Sequence, residues 1–195
     1  MNPGERPMRA DARRNYERLL GAGREAFNER GEQASMDDIA KRAGVGPGTL
    51  YRHFPNREAL LAAVYRDDVD FMAKRAGELA GTLPPFEALE AWLHEQLGYI
   101  KAKLGLTAVL KSLLKEDTET LEWCRDTMRA AIGGLLESAQ DAGAIRADVD
   151  HITVLRLAHG VGMASENAPE MAGKMLDLVI DGLRAKPATA PARRS

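Results

Sequence analysis

Hydrogen-bonding and cationic side chains crowd the segment that follows Gly46-Pro47-Gly48. Hydroxyl, imidazole and guanidinium groups all donate hydrogen bonds, and the guanidinium also carries a positive charge, so the set is suited to binding phosphate oxygens. Such contacts fix the register of a protein on a nucleic acid without reading its sequence. The residues of this set are Thr49, Tyr51, Arg52, His53 and Arg57.

A short helix is predicted to carry most of these side chains. Gly46 fits the N-cap position and Pro47 the first helical position, where a missing N–H costs nothing. We predict a helix over about residues 47–53, with Leu50 and Phe54 on the opposite face, anchored to a core. The small residues at its start would let the backbone approach a ligand closely.

A second short helix is predicted before this one. Ser35 and Asp38 match the Ser/Thr-x-x-acid pattern of a helix start, and Gly44 supplies a left-handed stop. Residues 35–54 therefore predict a helix-turn-helix, whose second helix enters the major groove in DNA-binding proteins. All-α enzymes also contain helix-turn-helix shapes that bind no DNA. The alternative is therefore that the second helix is an ordinary amphipathic helix whose polar residues face water.

Composition favours a helical globular protein of ordinary charge. The chain has 195 residues, 45% hydrophobic and 29% charged, with a net charge of −2. Residues 1–60 carry 11 Lys/Arg against 9 Asp/Glu, too mild an asymmetry to indicate nucleic-acid binding alone. A single cysteine, Cys124, excludes an internal disulfide. With no signal h-region and no apolar run of bilayer length, we expect a cytoplasmic protein without membrane contact.

The segment "SMDDIAKRAGVGPGTLYRHFPNREAL" resembles the signature of the TetR family of transcriptional regulators. The positions that carry the resemblance are Ala40, Gly44, Val45, Thr49, Leu50, Tyr51, His53, Phe54, Arg57 and Leu60. The resemblance implies phosphate contacts at Thr49, Tyr51 and His53. It implies contacts with the DNA backbone at Ser35 and Arg57. It also implies that Gly46, Pro47 and Gly48 face the edges of bases and that Arg52 contacts a base or a phosphate.

The first turn of the recognition helix departs from the family pattern, which often has polar residues at the positions of Gly46 and Pro47. Direct hydrogen-bond readout from this turn should therefore be poor. We expect Pro47 to contact thymine methyl groups, and Arg52 with the arm residues Arg6 and Arg9 to add selectivity, since arginine reads the shape of a narrow minor groove.

The predicted fold is all-α with about nine helices in two domains. A flexible basic arm (1–11) precedes a helix-turn-helix domain (12–72), whose first helix begins at about Ala12. A helical ligand-binding and dimerisation domain (73–185) follows, and then a disordered tail (186–195). The helices of the ligand-binding and dimerisation domain are expected over about 86–100, 106–114, 121–139, 150–165 and 169–184.

The last two predicted helices are apolar on most sides, which is typical of a buried or interface helix. One deep core is the alternative, but a chain of this length has few layers to surround both helices. In the TetR family these helices pair with their copies, so the resemblance implies a homodimer. The interface residues that we expect are Leu155, Val161, Gly162, Met175, Val179 and Leu183.

The resemblance also implies a small-molecule effector pocket within the C-terminal helices. Because few charges look buried, the effector should be apolar or weakly polar. The candidate lining residues are Trp92, Gln96, Tyr99, Trp123, Met128 and His159.

Catalysis and metal binding find little support in the sequence. Cys124 lies on an apolar stripe and is expected to be an inert buried thiol. Asp148, Asp150 and His151 could be imagined as metal ligands, but a turn and a helix N-cap explain them better. We therefore expect no enzyme activity and no cofactor. The favoured interpretation is a homodimeric repressor that a small molecule releases from a palindromic operator, and the alternative is an all-α enzyme or small-molecule carrier.

Overall fold

The computed structural model describes residues 5–103 and 118–185, and helices form nearly all the regular structure in these ranges. The α-helices are α1 (Glu5–Arg30), α2 (Met36–Arg42), α3 (Pro47–His53), α4 (Arg57–Thr82), α5 (Pro85–Lys103), α6 (Thr118–Asp141), α7 (His151–Ala164) and α8 (Ala172–Leu183). Short 3-10 turns occupy Gly31–Gln33 and Pro169–Met171. The all-α prediction is confirmed.

The two ends of this helical chain differ from the predicted bounds. Helix α1 begins at Glu5, so residues 5–11, expected to be an irregular arm, continue the helix. Pro7 lies in the first turn, where its missing N–H has no intrahelical acceptor to lose. Pro169 starts a 3-10 turn, and α8 begins only at Ala172. The predicted helix at 106–114 and the tail at 186–195 lie outside the described residues.

The chain divides into two compact units, and the first contains the residues up to Phe71 together with the start of α6, to Asp126. All four helices α1, α2, α3 and α4 contribute to its core, which includes Leu19, Phe27, Ile39, Leu50 and Leu60. Leu121 of α6 packs against this core, whereas the sequence assigns it to the second domain. Helical spacing puts Phe71 on the same face of α4 as Leu60 and Val64, yet it is 58% exposed, because at this point along the helix α4 buries Val69 and Met72 instead.

The second unit contains the rest of α4 and α6 with α5, α7 and α8. Trp92 is fully buried in its core, and its indole Nε1 donates to the Met72 carbonyl at 2.9 Å. The chain after α8 is tied to the turn before α7 by a short antiparallel bridge. In this bridge, Arg146 N donates to Leu183 O and Ala185 N donates to Ala144 O.

Candidate nucleic-acid interface

The turn between α2 and α3 requires a glycine. Gly44 has φ +63°, in the left-handed region that other residues rarely adopt. The Val45 N–H donates to Ala40 O at 3.0 Å, and the Gly44 N–H donates to Lys41 O at 3.1 Å, the pattern of a Schellman stop. The Arg18 guanidinium donates to Gly44 O at 3.2 Å and occupies the space that a Cβ would fill.

Helix α3 begins with a bare turn. Gly46 is the N-cap, with φ −72° and ψ 151°, and its carbonyl accepts from Thr49 N and Leu50 N at 2.9 and 3.2 Å. Pro47 follows at the first helical position. Gly46, Pro47 and Gly48 are all exposed, and a Cβ added at Gly48 would meet nothing within 4 Å. The first turn therefore leaves room for a close partner.

The remainder of α3 has an anchored face and a free face. Leu50 and Phe54 are buried, and the Phe54 ring lies 5.3 Å from that of Tyr16. On the other side Tyr51 is 47% exposed. Arg52 is exposed as well, and within the described residues its hydrogen bonds are long ones in its own helix, 3.3 Å to Gly48 O and 3.4 Å to Thr49 Oγ1. These two side chains can reach a partner without unpacking the helix.

His53 is positioned by a residue that the sequence analysis missed. Its imidazole lies 5.9 Å from the Tyr16 ring in an edge-to-face arrangement, although the two residues are 37 positions apart. Burial, and then the charge of Asp67, raises the pKa of Tyr16 above its ordinary value. Tyr16 lies on α1, and nothing in the sequence around it indicates His53 as its neighbour.

Helix α1 contributes a second wall beside the recognition helix. A shallow groove runs between the two, lined on the α1 side by Asp11, Ala12 and Asn15 and on the α3 side by Thr49, Arg52 and His53. The start of α1 therefore lies next to the predicted phosphate-binding set. The side chains of Arg6 and Arg9 precede the described ones, so their expected DNA contacts stay predictions.

Ser35 and Arg57, at the starts of α2 and α4, were predicted to contact DNA, and their surroundings in the structure are as follows. Ser35 has the extended backbone of an N-cap, but its side chain makes no capping hydrogen bond. Asp38 binds Arg30 at 2.9 Å instead of completing a capping box. The Arg57 guanidinium was expected to pair with phosphate, yet its Nη2 donates to the Gly31 carbonyl at 2.7 Å.

Comparison with known proteins identifies this architecture. Residues 19–64 match the bacterial regulatory proteins of the tetR family, and residues 84–185, over half of the chain, match the C-terminal domain of SbtR-like transcriptional regulators. The chain belongs to the TetR family. It is a DNA-binding transcriptional regulator, as the sequence predicted.

Solved structures of TetR proteins resemble the whole chain. A TetR transcriptional regulator from Streptomyces coelicolor is 36% identical, with a TM-score of 0.78 over 88% of this chain and 99% of that one. A TetR transcription regulatory protein from Mycobacterium vanbaalenii is 34% identical, with a TM-score of 0.75 over 92% and 100% of the two chains. An HTH-type transcriptional regulator of Staphylococcus aureus is 44% identical over 64 residues, so this chain spans only 35% of that relative's length.

The predicted effector residues of this TetR protein are divided between the two units. Trp92, Gln96, Tyr99 and Met128 belong to the second unit, where Tyr99 and Met128 pack against its core. Gln96 is buried, and its Oε1 has no hydrogen-bond partner in the described part of the chain. His159 is exposed on α7. Trp123 belongs to the first unit, where the Arg66 guanidinium lies 4.2 Å above its ring.

The predicted dimer residues differ in how far they are buried within the chain. Val161, Gly162 and Leu183 lie in the core of the second unit, and a Cβ on Gly162 would come within 2.5 Å of Ile100 Cγ2. Leu155, Met175 and Val179 are half-buried against the same core. The apolar side chains that α7 and α8 leave exposed are Leu157, Met163 and Leu178.

The residues considered as metal ligands have structural roles. The Asp150 carboxylate accepts from Thr153 N at 2.9 Å as the N-cap of α7, and this bond lowers its pKa. Asp148 pairs with Arg146 at 2.6 Å. The described residues contain no group of three His, Cys, Asp or Glu that could hold a metal ion. None of the described helices is long and apolar enough to cross a membrane.

Proposed function

We propose that this TetR protein is a homodimeric repressor that binds a palindromic DNA operator and leaves it when a small molecule binds. The free face of α3 supports this proposal. Gly46, Pro47 and Gly48 give a sterically open first turn, Tyr51 and Arg52 are exposed beside it, and buried anchors hold the helix from behind. Such a helix can be inserted into a major groove as a rigid body.

Most of the DNA affinity should come from phosphate contacts in this arrangement. Tyr51, with Thr49 and His53, lies beside the bare turn, where the hydroxyls and the imidazole can hydrogen-bond the backbone on either side of the groove. Pro47 offers only an apolar surface, suited to a thymine methyl group. Arg52 is held weakly enough to turn toward a base or a phosphate.

Selection of bound sequences from random duplex DNA with the purified protein tests the proposal. A homodimer should enrich a two-fold symmetric site whose half-sites are centred about 34 Å apart, one helical turn of DNA. Transcription from a promoter that contains this site should fall when the protein is added. Enrichment of an asymmetric site, or increased transcription, would contradict the dimer or the repressor, respectively.

Replacement of Tyr51 by Phe tests the phosphate contacts. We expect weaker binding to selected and random duplexes alike, by about 1.5 kcal/mol per protomer, because a hydrogen bond to a charged oxygen is lost while sequence readout is untouched. Fluorescence anisotropy measures both affinities. Tyr65→Phe is the matched control, since it removes a hydroxyl from α4 instead of α3. A loss confined to the selected sequence would show that Tyr51 reads bases instead.

The second copy is proposed to cover the exposed apolar face of α7 and α8. Leu178 is 66% exposed and Leu157 is 43% exposed, and large apolar side chains grouped on adjacent helices are typical of interaction sites. We place Leu157, Met163 and Leu178 at the centre of the interface. Leu155, Met175 and Val179, which are half-buried, would lie at its base.

The effector is proposed to bind in the second unit near Gln96. A buried amide oxygen without a partner is costly, so it indicates a missing hydrogen-bond donor. An apolar molecule with one donor group, surrounded by Trp92, Tyr99 and Met128, would supply it. Compounds of this class should raise the Tm of the protein and lower its affinity for DNA, and Gln96→Leu should reduce both effects.

A further inference from the structure

The Arg57 side chain is bound to other residues of the DNA-binding unit and is not free in solvent. Its Nη2 donates to the Gly31 carbonyl at 2.7 Å, and its guanidinium carbon lies 5.4 Å from the centre of the Phe27 ring. Its Nε is buried and makes no hydrogen bond in the described part of the chain. A guanidinium held by a carbonyl and an aromatic face is oriented by the protein, and its planar shape suits both contacts.

The carbonyl that accepts from Arg57 belongs to Gly31, in the turn between α1 and α2. Gly31 has φ +53° and begins the 3-10 turn that leads from α1 to α2, and its carbonyl also accepts from Ala34 N at 3.4 Å. Ion pairs hold α2 to α1, and they include Arg30 with Asp38 at 2.9 Å and Arg42 with Glu29 at 2.7 Å. The carbonyl that binds Arg57 therefore belongs to the junction that orients the first helix of the helix-turn-helix.

The donor lies just after the recognition helix. Arg57 is the first residue of α4 and comes four positions after His53, where α3 ends. The Asn56 side chain accepts from Ala59 N at 2.8 Å, which caps α4 and fixes the turn from which Arg57 extends. The contact between Arg57 and Gly31 thus links the start of α4, which follows α3, to the turn between α1 and α2.

We propose that Arg57 is a positioning residue of the DNA-binding unit and not a phosphate contact. It clamps α4 to the α1–α2 turn, and this clamp sets how α3 projects from the bundle toward the major groove. Its contribution to DNA affinity comes from geometry, so it should not change the number of counterions that DNA binding releases.

Arg57→Lys and Arg57→Gln separate these roles. Each phosphate contact that is lost makes the slope of log affinity against log salt shallower by about 0.9. Binding to a random-sequence duplex and to the selected site would be measured by anisotropy across a salt series, well below the Tm of each variant. We expect both variants to bind the selected site about tenfold more weakly, with the wild-type slope and a lower Tm.

The remaining outcomes overturn the proposal. If lysine preserves affinity while glutamine weakens it and makes the slope shallower, Arg57 contacts phosphate. If both variants have a lower Tm but bind DNA normally, or if neither changes, Arg57 does not position α3. Lys74→Gln controls for the loss of one positive charge, because Lys74 is exposed on the part of α4 in the second unit. A general failure to bind any duplex in the wild type would instead count against the function proposed above.

Discussion

Several residues of the helix-turn-helix set the conformation of the backbone and make few side-chain contacts. Gly44 adopts φ +63° and leaves room for Arg18, and Gly46 and Pro47 form a helix start without any capping side chain. These roles were predictable because a left-handed stop and a proline at the first helical position depend on local conformation. The helix start predicted at Ser35 is found, but the Ser35 side chain makes no capping hydrogen bond and the Asp38 carboxylate binds Arg30.

Gly44→Ala should destabilise the DNA-binding unit by about 1–2 kcal/mol, since an L-residue with a Cβ is strained at this φ. The new methyl group would also displace Arg18 from Gly44 O. Thermal unfolding measures the effect. Gly21→Ala is the matched control, because Gly21 lies within α1 with no atom near its would-be Cβ, and alanine there should be neutral or stabilising. Equal Tm values for the two variants would contradict the role of Gly44.

At the scale of elements, ion pairs between helices hold each unit in register. In the second unit, Arg75 on α4 binds Glu95 on α5 through two hydrogen bonds, Nη2 to Oε1 at 2.7 Å and Nε to Oε2 at 3.0 Å. Such a pair joins residues twenty positions apart, so helical periodicity alone could not indicate it. Periodicity did predict the order of the described helices. The start of α1 differs from its predicted position by seven residues, whereas the ends of α5 to α8 differ by one to three.

Stability should depend on pH through Glu95. Hydrogen bonds from Arg75 lower its pKa below the ordinary 4.5, against a smaller opposing effect of burial. The carboxylate therefore stabilises the folded state above that value, and the stabilisation is lost as pH falls through the folded-state pKa. Glu95→Gln should lower stability by up to about 1 kcal/mol at neutral pH, with the difference shrinking as the pH falls below about 4.

Thermal unfolding of wild type and Glu95→Gln over this pH range measures the difference. Glu137→Gln is the control, since Glu137 is exposed in the same unit and lies away from the first turn of its helix. A difference between wild type and Glu95→Gln that stays constant across the range would show that the Arg75 pair does not act through ionisation of Glu95.

At the scale of the whole molecule, the exposed leucines of α7 and α8 bear on assembly. Leu178→Glu should convert the proposed dimer to a monomer, because a carboxylate would be desolvated in an apolar interface. Size-exclusion chromatography with light scattering measures the mass. The matched control is Leu83→Glu, since Leu83 is also exposed but follows α4. A dimer that survives Leu178→Glu would move the interface away from this face.

The sequence by itself determined the helical class, the helix-turn-helix and its family, because each rests on signals within a few residues: apolar spacing, Gly44 as a stop and Pro47 as a start. Only the tertiary structure decided which way each helix faces and what its polar groups touch. Phe71 is exposed, Gly162 is buried against Ile100, and Arg57 reaches Gly31. Each outcome depends on a neighbour far away in the chain, and local periodicity carries no information about which distant residue will pack there.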